Sequence, residues 1–145
     1  MSTAEDLHAQ VAATREKLEK LTAAVAHNEA KMQRSLRCEL RLLQAEDLLA
    51  LFDELTSGLR ASYGLQSVSV VLSDPDHDIR HLLLAAGAPA EQIEGLLFVE
   101  SLAGLAPQYV ALREPWLGQF EACDHQLVFA EPGRLESIAM IPLAH

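Results

Sequence analysis

The sequence predicts an α+β protein, in which a long N-terminal coiled-coil helix leads into a sheet flanked by helices. Three observations predict it. No Gly or Pro occurs before Gly58, so no strong breaker interrupts a helix ahead of that point. Apolar residues in this stretch recur every 3.5 positions or so, the spacing of a two-stranded seam. After Gly64 the texture changes to short β-branched runs punctuated by Pro, Gly and Asp.

Ser2 or Thr3 can cap the helix, and Glu5 and Asp6 lie in the first turn, where the macrodipole favours negative charge. Helical character is expected from Ala4 to Arg60, with room for one break. Leu7, Val11, Leu18, Leu21, Val25 and Met32 occupy an alternating four-and-three ladder whose two remaining rungs are Thr14 and Asn28. A stripe this narrow stays wet on a lone helix and calls for a partner helix, most simply a second copy. A solvated helix folded back on its own domain is the plainer reading. Asn28 argues against it, because a polar residue on a seam costs stability but fixes register and oligomer number. Past Met32 the ladder slips to Leu36, Leu40 and Leu43, a stutter that locally unwinds a left-handed supercoil. From Ala45 the face widens to Leu48, Leu49, Leu51, Phe52, Leu55 and Leu59, the width of a helix packed on a sheet. The expected division is a dimerisation helix over residues 1–43 and a body over 44–145.

Tyr63-Gly64 reads as a helix stop and Ser67 to Leu72 as a strand. Asp74-Pro75-Asp76-His77 reads as a turn, followed by a short helix or extended stretch from Asp78 to Ala86 that stops at Gly87. Glu91 to Leu97 is expected as a helical turn, Phe98-Val99 as a short strand, and Ala106 to Gln126 as an excursion loop. Leu127 to Ala130 reads as a strand, Glu131-Pro132-Gly133 as a turn, and Glu136 to Leu143 as a closing strand.

Charge excludes some functions. Residues 1–43 carry seven Lys or Arg against six Asp or Glu, whereas residues 44–145 carry four against fifteen. A body this acidic, with Arg60, Arg80, Arg113 and Arg134 scattered singly, repels nucleic acid and anionic membrane surfaces. No apolar run approaches the roughly 20 residues of a membrane span, and no signal peptide is recognisable, which points to the cytoplasm. Two cysteines, Cys38 and Cys123, make no disulfide framework and are expected as thiols.

Several segments taken together resemble a known family. They are Ser67-Val-Ser-Val-Val-Leu72, Asp74-Pro-Asp76, Ala86-Gly-Ala-Pro89, Pro115-Trp-Leu-Gly118 and Ser137-Ile-Ala-Met-Ile-Pro-Leu143. Over residues 36 to 143 the chain resembles GAF-like sensor domains, and more narrowly a bacterial GAF-like group that often precedes diguanylate cyclase domains. The resemblance implies a dimeric sensory or regulatory module that passes ligand or partner binding to an output domain in c-di-GMP signalling. It also implies that the sheet continues beyond the last strand, so a body ending at His145 is expected to be incomplete. No Gly-Gly-Asp-Glu-Phe cyclase signature occurs, and the chain itself is not expected to be an enzyme. The alternative is a ligand-free dimerisation or interaction scaffold.

Three constellations bear on chemistry. Cys123-Asp124-His125 brings together a thiol, a carboxylate and an imidazole, but adjacent side chains seldom face one another, which disfavours a nucleophile–base pair. Asp74, Asp76, His77, Asp78 and His81 are the densest group of potential metal ligands, yet the Gly and distal Glu of a calcium loop are misplaced and a solvated acidic turn is the preferred reading. No metal is expected. Trp116, with Tyr109 and Phe120, either lines a small-molecule pocket or plugs the domain. The sequence names no cofactor.

Overall fold

The computed structural model describes residues 3–105, 107–129 and 135–143. The chain is mixed α+β and divides into two compact units, Met1–Leu40 and Arg41–His145.

The first unit belongs to one helix, α1 (Thr3–Leu43), whose last three residues lie in the second. Its surface carries the i,i+4 ion pairs Arg15–Glu19 (3.4 Å) and Glu16–Lys20 (2.6 Å). Thr14 and Thr22 donate their hydroxyls to the carbonyls of Gln10 and Leu18, both at 2.8 Å. Cys38 is the one buried side chain among the helix's described residues.

In the second unit, Gln44 and Ala45 donate back to the carbonyls of Arg41 and Leu42 in a tight turn that ends α1. Asp47 then starts a new helix by accepting the Ala50 N–H at 2.7 Å. This helix runs as α2 (Leu48–Asp53), a π turn (Glu54–Gly58) and α3 (Leu59–Tyr63). In the π turn the Thr56 hydroxyl donates to the Phe52 carbonyl at 2.9 Å. The bare Gly58 leaves room for the Glu54 carboxylate, which pairs with Arg41 Nε at 3.4 Å while the Arg41 guanidinium also bonds Ser62. Gly64, at φ 65°, ends α3 in the left-handed conformation expected of its position.

Strand β1 (Val70–Ser73) pairs in parallel with β2 (Leu96–Val99), with α4 (Asp78–Ala85) as the crossover. Phe52, Val70, Leu83, Ala90 and Leu96 form the buried core, with Leu48, Leu55, Leu72, Ile79, Ile93 and Phe98 packed against it. The widened apolar face beyond Ala45 therefore does meet strands. Gly95 sits at φ 79° immediately before β2, against the Val68 carbonyl.

After β2 the chain makes a 3-10 turn at Leu102–Gly104, then α5 (Pro107–Ala111), β3 (Trp116–Gln119), α6 (Ala122–His125) and a 3-10 turn at Gln126–Val128. Strand β4 (Ser137–Met140) returns antiparallel to β3, with Trp116 opposite Met140 and Gly118 opposite Ile138. Three expectations are corrected here. The excursion over Ala106 to Gln126 holds two helices and a strand, because Trp116 to Gln119 find a partner in the distant closing strand. Leu127 to Phe129 are not a strand: residues through Val128 stay in a helical turn that continues α6. Glu91 to Leu97 splits into a 3-10 turn at Ala90–Gln92 and the start of β2. The strands form two separate pairs among the described residues, where the resemblance implied one sheet. Glu131-Pro132-Gly133 lies outside the described residues.

Candidate functional site

Two of the aromatic residues singled out from the sequence, Trp116 and Phe120, converge on His125. Trp116 opens β3, Phe120 follows its last residue, and α6 delivers the imidazole, which is only 4% exposed. The His125 ring centroid lies 5.8 Å from that of Trp116 and 5.7 Å from that of Phe120, and Phe120 in turn meets Phe129 at 6.3 Å. Trp116 and Gly118 lie two residues apart on the same face of β3, and the six-membered ring of the indole covers the glycine. A Cβ at position 118 would overlap the indole carbons, so Gly118 is what lets Trp116 lie down. Val128 and Ile138 are buried in the same unit.

Polar bonds fix the cluster's rim. The Tyr109 hydroxyl donates to the Asp124 carbonyl at 3.0 Å, tying α5 to α6. Burial, and then the nearby Asp124 carboxylate, push the Tyr109 hydroxyl above its ordinary range. The Glu121 N–H donates to His125 Nδ1 at 2.9 Å and closes α6 on itself. Cys123 is exposed, and its hydrogen bond with Asp124, with burial as the next cause, raises the thiol above its ordinary value. A thiol held protonated is a poor nucleophile. His125 faces Trp116 and Phe120, and its Nδ1 is engaged by a backbone amide, so Cys123-Asp124-His125 form no relay.

The acidic turn is divided by burial. Asp74 is buried, whereas Asp76, His77, Asp78 and His81 are exposed, with the two imidazoles 6.3 Å apart. Asp74 accepts the N–H groups of Ile79 (3.3 Å) and Arg80 (3.2 Å) at the start of α4, and Arg80 Nε at 3.4 Å. Arg80 also donates to the Asp74 carbonyl at 2.9 Å and lies 5.4 Å from the Phe98 ring centroid. The buried carboxylate is thus saturated by protein donors and serves as a structural corner, joined to β2 through the Asp74 N–H to the Val99 carbonyl at 2.9 Å.

This corner has a pH dependence. Burial pushes the Asp74 carboxyl up, but the donors from Arg80 and Ile79 outweigh it and hold the group below its ordinary 3.8. A depressed carboxylate stabilises the fold above its unfolded-state value, and that stability is lost as pH falls through the lowered folded value. Replacing Asp74 with Asn should weaken the body at neutral pH and flatten its loss of stability between about pH 5 and pH 2. Denaturant titrations across that interval check this, and parallel slopes for the two proteins would refute it.

The seam residues are on the surface. Leu7, Val11, Leu18, Leu21, Val25 and Met32 are 60–68% exposed, and Asn28 stands on the same stripe. The Thr14 hydroxyl is satisfied within its own helix, whereas the Asn28 carboxamide makes no hydrogen bond among the described residues. Reading the sequence alone missed His125 as a hub and Gly118 and Phe129 as its supports. The Trp-x-Gly alternation at 116–118 was the available signal.

The chain matches no family model, no curated protein and no solved structure. Among the described residues, no helix is long and apolar enough to cross a membrane.

Proposed function

We propose that this chain is a homodimeric regulatory module of the cytoplasm, paired through α1 and carrying an α+β body of the GAF-like sensory type. The observation that carries it is the exposed stripe of six large apolar side chains, Leu7 to Met32, on α1. Asn28 favours a parallel, in-register pair. In that arrangement each polar rung meets its own copy, Asn28 on Asn28 and Thr14 on Thr14, and the two carboxamides can bond each other. The symmetric antiparallel alignment that keeps all eight layers sets Asn28 against Val11 and Thr14 against Val25. That leaves two amides facing aliphatic groups, at about 1–3 kcal/mol for each buried polar group left unpaired.

A parallel coil can relay a change in body packing to a further domain as a shift of register. By resemblance, that domain would be a diguanylate cyclase. The reading gives the chain no catalytic step of its own and no nucleic-acid or membrane partner. Sedimentation of the purified chain at micromolar concentration tests the pairing: a dimer is expected, and a monomer would sink the proposal.

The packing of the aromatic cluster favours a second reading, a scaffold that dimerises without a small molecule. The indole, 39% exposed, rests on Gly118 and beside His125, and Phe120 packs on the same imidazole, so these rings are engaged by the protein itself. Native mass spectrometry separates the two readings. A retained small molecule supports the sensor, and a bare dimer supports the scaffold.

A further inference from the structure

The imidazole of His125 acts as an acceptor. Because Nδ1 takes the Glu121 N–H at 2.9 Å, that nitrogen is unprotonated and the ring's single proton sits on Nε2. The bond closes α6: Glu121 is the N-cap, its carbonyl accepts the His125 N–H at 2.9 Å, and the His125 ring satisfies its amide. A second proton must go to Nδ1, the ring's remaining basic lone pair. It turns the acceptor into a donor aimed at another donor, and the contact opens.

The titratable groups on the elements around the ring are Glu121, Cys123 and Asp124 on its own turn, Tyr109 on α5, and Glu136 just ahead of β4, whose carbonyl accepts the Phe120 N–H at 3.0 Å. All are acids. The rings packed against the imidazole are Trp116 and Phe120. Proton uptake and the Glu121 bond therefore compete for one nitrogen.

We propose that His125 is a proton-operated latch: neutral, it closes the α6 turn and holds Trp116 down on Gly118; charged, it releases the Glu121 amide and loosens the β3–β4 end of the body. The proton is the ligand. The latch does not depend on the pairing of α1, and its readout is the same in a monomer or a dimer.

The test is amide exchange of Glu121 in the full chain at about pH 8 and about pH 5, the interval in which imidazole side chains take up a proton. Protection, corrected for intrinsic rates, should fall roughly five- to tenfold in the native sequence, the loss of one hydrogen bond. Trp116 emission should shift over the same interval. His125→Asn places a non-titrating acceptor near Nδ1 and should keep the protection at both pH values, whereas His125→Ala should lack it at both. Equal protection of the native chain at the two pH values, or the same loss in His125→Asn, would overturn the latch.

Discussion

Replacing Leu18 and Leu21 with Glu is expected to convert the proposed dimer into monomers. In the single chain these side chains are 63% and 64% exposed, so the substitutions remove nothing that one helix needs. In the proposed pair they would sit at adjacent central layers. Each fully buried Leu contributes about 1.5–3 kcal/mol, and four are lost per dimer. The charges add like-sign repulsion across the seam, with no water to screen them fully. Even with the partial burial of a two-stranded coil, the loss is on the order of 5 kcal/mol or more, several decades in the dimer constant. Sedimentation should show half the mass, and far-UV circular dichroism should show α1 frayed while the body keeps its Trp116 emission. A variant that remains dimeric would mean that α1 is not the interface.

Gly95→Ala is expected to be the most damaging single substitution in the body. Gly95 sits at φ 79°, where an L side chain costs about 1–2 kcal/mol, and its added Cβ would drive into the Val68 carbonyl oxygen. That oxygen is backbone and cannot rotate away. Gly95 also accepts the Val70 N–H at 2.7 Å, the bond that begins the β1–β2 register. Relief by moving Gly95 must therefore pull at the strand pairing over which Phe52, Leu83 and Ala90 pack. A loss of about 3–5 kcal/mol is expected, which would leave a body of this size marginal. Denaturant unfolding followed by Trp116 emission measures it, since α1 dominates the helical signal. A change below about 0.5 kcal/mol, the scale of an ordinary surface substitution, would show that the turn adapts freely. Gly64 and Gly87 share the positive φ but have open space where a Cβ would go. Alanine there should cost only the backbone strain.

The sequence by itself determined what is local. The heptad ladder from Leu7 to Met32, the unbroken helix around it, the stop at Gly64, the turn at Asp74 to His77 and the helix ending before Gly87 are all set by neighbours within a few residues. Periodicity, capping and turn chemistry act at that range. The break after Leu43 was foreseen only as room for one break before Arg60, and the Asp47 cap that restarts the helix emerged from the structure. Tertiary structure alone decided which strands pair. Val70 to Ser73 meet Leu96 to Val99, and Trp116 to Gln119 meet Ser137 to Met140, through contacts between residues about 20 or more apart. Nothing in a short window encodes such a partner, so a strand in the supposed loop went unseen and Leu127 to Phe129 looked extended on propensity alone. Burial sorted the polar residues in the same way. Asp74 and His125 read like their exposed neighbours in the sequence. They differ because Ile79, Arg80 and Glu121 bring donors to them inside the fold, where a buried polar group persists only with its hydrogen bonds made.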